Sequence, residues 1–503
     1  MSRGALALVL HSHLPWLAHH GRWPVGEEWL YQAWGTSYLQ VLDVLDRLAA
    51  RGRTDVLTLG VTPVLAAQLD DPYCLTAFET WLGFWRERSA ELAGDADPAL
   101  RELAGYEYRC AAWATEQHAA RGPLSESLRR LADAGVIELL GGPAAHEFQP
   151  LYDDEVVTAL LRVGRDDAVE RWGRRTAGIW APECGYRPGL EEVYAAERVT
   201  HFVVDGPTFL HVGAQPWAGR PVGDSDVVAF ARDLDVTYRV WSPKRGYPSD
   251  PAYRDFYAVH HGSGFRPSRV TSVHTPDHAK ESYRPEATAA VVERDAADFV
   301  SVVAAKLDQV GAQRGSPGLV VAAYDTELFG HWWHEGPAWL ERVLELLPEA
   351  GIEVTTLSRA RRDGYVDPEP VELAPGSWGS GKDWRVWAGT PVADLVRDND
   401  RLVRRWRSLR TRPSPAAVGR EPVADQLARE AMLALSSDWA FMVTKDTAAQ
   451  YARSRHDLHH RRFHALADAL ADTEFEPARL LESATELRAS DGLFGHLDAR
   501  ALW

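Results

Sequence analysis

In this chain the side chains able to do acid–base or ligand chemistry gather just after short apolar runs. ALALVL (5–10) is followed by His11 and His13, and GVIELLGG (135–142) by His146 and Glu147. AGIWAPE (177–183) ends on Glu183, HFVVDG (201–206) carries Asp205, and GLVVAAYD (318–325) ends on Asp325, with Glu327 close behind. Parallel α/β proteins place catalytic groups at strand ends, because those ends converge on one face. A single carboxylate there is often only the N-cap of the next helix. Several polar strand ends together are harder to assign to capping.

Three chemistries compete. A His-x-His at the end of a first strand suits a metal such as zinc. That reading needs further histidines, usually with a bridging lysine and a late aspartate. The lysines, at 244, 280, 306, 382 and 445, stand at no strand end, and His331 and His334 are separated by two tryptophans. No metal and no other cofactor is therefore expected. Paired carboxylates acting on a glycoside are the second reading, with Glu183 and Asp325 coming from well-separated strands as an opposed pair would. The third is a glucan-binding protein without catalysis, which would need no paired carboxylates. No GxGxxG or GxxxxGK[ST] cradle for phosphates occurs.

The elements that must position these groups are read from periodicity. Further strand-like runs are DVLTLGV (55–61), VTYRVW (236–241) and IEVTTL (352–357), and helical patterns at 27–50, 154–171, 286–311 and 337–350 lie between runs. Asp153 and Asp154 suit the N-cap of the helix at 154–171. Strands alternating with helices imply parallel β/α units. Residues 70–130 read as helix only, and strand signals stop after about 370. Helices are then expected at 392–411, 422–436, 445–470 and 476–489.

Composition narrows the partners. The 503 residues carry a formal net charge of −17, which disfavours nucleic acid. Trp, at 20, outnumbers Tyr (16) and Phe (14), and exposed tryptophan is one way to stack on sugar rings. Cys74, Cys110 and Cys184 form no CxxC pair. The N-terminal apolar run is too short for a signal peptide, and no window is long enough to span a membrane. A cytoplasmic protein, monomeric or a small homo-oligomer, is expected.

Taken together the motifs resemble glycoside hydrolase family 57, and within it the 1,4-α-glucan branching enzymes. HSHLPW (11–16), GGPAAHEFQP (141–150), WAPECGY (180–186), AAYDTELFGHWWHEG (322–336) and SSDWAFM (436–442) look like the family's five ordered motifs. GRWPVGEEWLYQAW (21–34), VWSPKRGYPSDPAYRDFY (240–257) and SWGSGKDWRVW (377–387) look like the branching subgroup. The resemblance implies a distorted TIM-like (β/α)7 barrel over 1–370 with a helical insertion at about 70–130. It implies an all-α domain over 371–503 that completes the cleft. Glu183 maps to the nucleophile and Asp325 to the general acid/base of a retaining transglycosylase that cleaves an α-1,4 bond and forms an α-1,6 branch. Trp23, Trp29, Trp241, Trp378 and Trp387 look like aromatic walls, at least three of them lining the cleft. Asp438 and Trp439 reach in from the helical domain, and His11, His13 and His146 bind the reacting sugar. One stretch departs from the pattern. The segment 210–226 is short and lacks a tyrosine that shields the intermediate from water, a role left to Trp217. On that ground α-amylase-like hydrolysis is the alternative outcome.

Overall fold

The apolar run at 5–10 becomes the middle of a nine-residue strand, every residue of which is buried. Continuous apolar strands of this kind belong to parallel sheets covered on both faces. The computed structural model describes residues 3–242, 246–410, 420–472 and 476–502. Residues 243–245 of the VWSPKRGYPSDPAYRDFY stretch, Lys244 among them, and the last residue of the helix expected at 392–411 lie outside these.

Strands β1 (Gly4–Ser12), β2 (Leu57–Val61), β3 (Ile137–Leu140), β4 (Gly178–Ile179), β5 (His201–Asp205), β6 (Arg220–Pro221), β7 (Val228–Arg232), β8 (Gly318–Asp325) and β9 (Glu353–Thr355) form two sheets. One runs β3-β2-β1-β8, with β9 also on β1, and the other β4-β5-β7-β6. All pairs are parallel except β6 with β7. The α/β class is as expected, but the strands do not close into a (β/α)7 barrel. The sheets meet at one seam through an isolated Gly141–Ile179 bridge and its adjoining hydrogen bonds. At the other, Asp233 N donates to Val321 O at 2.8 Å. At the first seam β4 is only two residues long, and the last bond across it is Trp180 N to Gly141 O at 2.9 Å, before the turn at Pro182–Cys184.

A second correction concerns VTYRVW. It is not a strand but the helix Leu234–Val240, capped by the Asp233 carboxylate, which accepts from Val236 N. The strand at this point is the preceding VAFAR of β7. Aromatic and β-branched residues fit either state, and the Asp cap decides.

Between β2 and β3 the helices Pro72–Leu92, Pro98–Arg121 and Leu124–Asp133 occupy the stretch read as helix only. Asp71 and Asp97 cap the first two, each followed by a proline in the first turn. Asp153 caps Asp154–Trp172 as expected, accepting from Val156 N. Towards the C-terminus come Ala393–Arg410, Pro422–Ala434, Ser437–Lys445, Ala449–Ala471 and Pro477–Ser490. The start of Ser437–Lys445 is tied to the sheet's carboxyl end by Ser437 N donating to His146 O at 3.1 Å. Among the described residues no helix is long and apolar enough to cross a membrane.

Gly164, inside Asp154–Trp172, lets this helix lie on the backbone that leads from β3 into the 144–147 turn. A Cβ there would sit 2.1 Å from Gly142 O. Gly164→Ala is expected to lower unfolding stability by about 1–3 kcal/mol, measured by chaotrope titration, because neither backbone can yield cheaply.

Candidate active site

Register does the first part of the assembly. β1 and β8 run side by side with His11 opposite Asp325, so both leave the sheet at its carboxyl end. His11 is buried and stacks on Trp180, ring centroids 4.4 Å apart. Its Nε2 lies 3.1 Å from His146 Nε2. His13 stacks on His146 at 3.8 Å. Asp438 is held below its usual pKa because His13, His146 and Ser436 outweigh the effect of burial. His13 Nε2 donates to the ionised carboxylate at 2.8 Å, and its Nδ1 lies 3.0 Å from Thr62 Oγ1. Burial first, then neighbouring imidazoles, hold His11 and His146 well below the usual imidazole pKa. These two rings are therefore neutral hydrogen-bonding groups at pH 7.

Glu183 stands on the turn that follows β4, with φ 61°, and Cys184 beside it has φ 51°. Left-handed backbone at two successive non-glycine residues is uncommon and strained. The turn aims the carboxylate back at the sheet's carboxyl end, where two segments grip it. Trp378 Nε1 donates to Oε2 at 2.8 Å, and Ser437 Oγ donates to Oε1 at 3.1 Å. Trp378 N also donates to Glu183 O at 2.9 Å, and His146 Nδ1 lies 3.9 Å from Oε1. Burial pushes the Glu183 carboxyl up to about 7, and the Trp378 and Ser437 donors oppose it. Asp325 is held well above the usual carboxylate range by burial, then by the charges of Glu327 and Glu183. Glu327 itself, pushed up to about 7 by burial, accepts from His13 N at 3.1 Å and from Tyr38 Oη. Glu183 and Asp325 are neighbouring carboxyls in different environments, an arrangement that can supply one ionised group and one proton donor.

The expected residues do not all meet here. His11, His13, His146, Glu183, Asp325, Trp378 and Asp438 are linked through these contacts. Trp29 and Trp241 are half-buried, edge-on to Tyr451 at 6.5 Å and to Trp332 at 5.5 Å. Trp23 is 77% exposed. Trp387 and Trp439, expected to face sugar, are each 1% exposed. Trp387 stacks on Phe148 at 4.6 Å, and Trp439 Nε1 donates to Leu433 O at 2.8 Å. Both support the site from within the core, because an aromatic motif position does not say which way its ring faces. Trp217 is also displaced from its expected role. Its carbonyl accepts from Leu319 N at 2.7 Å, at the amino end of β8. At about 3.3 Å per residue that is roughly 20 Å from Asp325.

Sequence reasoning missed Ser437 and Trp180, since nothing in SSDWAFM or WAPECGY marks them over their neighbours. Asp205, a strand-end carboxylate, is not free to act. It pairs with Arg232 at 2.8 Å and Lys382 at 2.7 Å, and Arg232 lies 5.3 Å from the Trp378 ring centroid. Lys382 Nζ donates to Trp378 O at 3.0 Å. Asp205 thus props the indole that holds Glu183. Burial holds the Cys184 thiol well above its usual pKa, so it is no competing nucleophile. Donor atoms of His13, His146 and Asp438 lie within 4.8 Å of one another, as do those of His20, His459 and Asp491. Either trio has ligand types for a divalent cation, but His13–Asp438 and His20–Asp491 already bond internally, at 2.8 and 2.6 Å.

Residues 7–371 match glycosyl hydrolase family 57, and residues 400–502 match the description 1,4-alpha-glucan branching enzyme, C-terminal. The chain belongs to glycosyl hydrolase family 57. Within it, the chain falls in the branching-enzyme group. It is 50% identical to a probable 1,4-alpha-glucan branching enzyme of Mycobacterium tuberculosis, over 99% of this chain and 98% of the relative. A GH57-type branching enzyme of Pyrococcus horikoshii superposes with TM-score 0.93 at 32% identity, covering 99% of this chain and 97% of that one. An alpha-amylase of Thermotoga maritima gives 0.86 at 28% identity, covering 100% and 99%.

A carboxylate that must be ionised beside one that must be protonated gives a bell-shaped pH–rate profile. The acidic limb of kcat/KM is expected near pH 7, set by Glu183. Trp378→Phe removes a donor that favours the ionised form, so the Glu183 pKa rises and the acidic limb moves to higher pH. A limb left in place would show that the indole does not tune this carboxylate.

Proposed function

We propose that this protein is a 1,4-α-glucan branching enzyme, with Glu183 as nucleophile and Asp325 as general acid/base. The observation that carries the assignment is the gripped Glu183 carboxylate, aimed from a strained turn and electrically coupled to Asp325. Glu183 attacks the anomeric carbon of an α-1,4 bond while Asp325 gives its proton to the departing 4-oxygen. The ionised Asp325 then takes the proton of an incoming 6-hydroxyl. That oxygen displaces Glu183, and an α-1,6 branch forms with retention.

His11 Nδ1 is buried without a partner and suits a hydrogen bond to a hydroxyl of the reacting glucose, while His13 and His146, their ring nitrogens engaged by Asp438, Thr62, His11 and Ser437, hold that ring layer in place. Trp378, Trp29 and Trp241, each half-buried, are the tryptophans placed to offer faces to the chain. Contacts of Ser437 and Asp438 with Glu183 and His13 support a division into a catalytic part at 1–370 and a helical part at 371–503 that closes the cleft. The reading needs no cofactor and takes an α-glucan as partner. Three free thiols fit a reducing cytoplasm.

The likeness to an alpha-amylase keeps hydrolysis as a second outcome. Trp217, which lies at the other end of the sheet, does not take the place of the shielding tyrosine that residues 210–226 lack. A tyrosine on the carboxyl side is Tyr238, 43% exposed, with Lys382 Nζ 5.7 Å from its ring centroid.

Incubation with amylose is expected to give new α-1,6 linkages, released as short chains by isoamylase. Reducing ends without branches would mean hydrolysis, and no product would mean a binding protein. Glu183→Gln should lose several orders of magnitude of turnover. Tyr238→Ala should raise the share of product lost to water, measured as reducing ends per branch.

A further inference from the structure

A cavity of about 550 Å³ opens at the end of the sheet opposite the carboxylates. Its lining includes Trp217, Gln215, Val212, Arg220, Arg314 and Asp367. The backbone around Trp217 is fixed. Its carbonyl is bonded to Leu319 N, and Gly219 N donates to Tyr365 O at 2.9 Å. The Trp217 side chain is half-buried, and among the described residues no hydrogen bond or ring contact claims its indole. Val212, 40% exposed, adds apolar surface to the rim.

The charges lining this cavity balance, Arg220 and Arg314 against Asp367 and Glu372. Arg314 holds Asp367 through two bonds, Nη1 to Oδ2 at 3.0 Å and Nη2 to Oδ1 at 2.6 Å. Arg220 Nη2 reaches Oδ2 of the same carboxylate at 3.3 Å. Such a paired array disfavours an ionic ligand, yet its edges still offer donors and acceptors. A rigid indole face beside planar, mutually neutralised polar groups suits a neutral polyol ring, which has an apolar face and an equatorial rim of hydroxyls.

We propose that this cavity is a second, non-catalytic α-glucan site. A sugar ring stacks on Trp217, and its hydroxyls bond Gln215 and the Arg220–Asp367–Arg314 array. It rests on the reading of the substrate as an α-glucan. Standing roughly 20 Å from Asp325 along β8, it would hold one part of a polymer while another part reacts. Tethering of this kind raises the effective concentration of chain at the reacting site.

The test is native affinity electrophoresis of the full chain in amylopectin gels, in the Glu183→Gln background so that no glucan is consumed. Trp217→Ala is expected to weaken retention about tenfold, Trp217→Phe much less, and Gln215→Ala in the same direction as Trp217→Ala. Thermal melts of each variant guard against misfolding. If folded Trp217→Ala and Gln215→Ala are held as tightly as the parent, the second site is wrong. That outcome leaves the function reading intact, since branching by the wild-type chain is scored separately on amylose.

Discussion

The site depends on one gripped carboxylate. Glu183 sits on a strained turn, and its two oxygens are held by an indole and a hydroxyl from outside the sheet. Neither donor would be in place without its own support. Trp378 is fixed through its backbone to Glu183 and by Lys382, and Arg232 packs against its ring. Ser437 is fixed by the helix it starts and by the His146 carbonyl. Strain of order 1–3 kcal/mol at such a turn persists only where the surroundings over-determine it. Here strand, loop and C-terminal helix converge to do so.

The electrostatics follow from the same burial. Desolvation disfavours charge, and it acts on carboxylates and imidazoles in opposite directions. It raises Glu183, Glu327 and Asp325 and lowers His11 and His146. The result is a layer of neutral rings beside carboxyls whose proton is held more tightly than usual. A neutral sugar can be bound there without displacing a counter-ion, and a proton can pass to and from a glycosidic oxygen. Asp438 is the exception. His13 and Ser436 bond it, and so it stays ionised in the same layer.

Much of this was legible in the chain. Apolar strands, polar strand ends and capping aspartates gave the parallel α/β plan and placed His11, His13, His146, Glu183 and Asp325 at one end of it. What was not legible depended on where a ring faces or where a ladder breaks. Trp387 and Trp439 carry motif positions but are core residues. VTYRVW has strand composition but follows an Asp cap. The barrel stays open at two seams, next to the two-residue β4 and between β7 and β8. Ser437 needed the tertiary structure, because a serine at a helix start is common and only proximity to Glu183 gives it chemistry. Trp217 was read as part of the cleft, and its carbonyl bond to Leu319 moves it to the far side.

The claim that Glu183 is the nucleophile is tested most directly by trapping. An Asp325→Asn variant, slowed in releasing the intermediate, would be incubated with an α-maltosyl fluoride, whose leaving group needs no proton. It would then be digested and analysed by mass spectrometry. A glycosyl ester on the peptide containing Glu183 is the predicted result. An adduct on another carboxylate, or release of inverted product with no adduct, would contradict it.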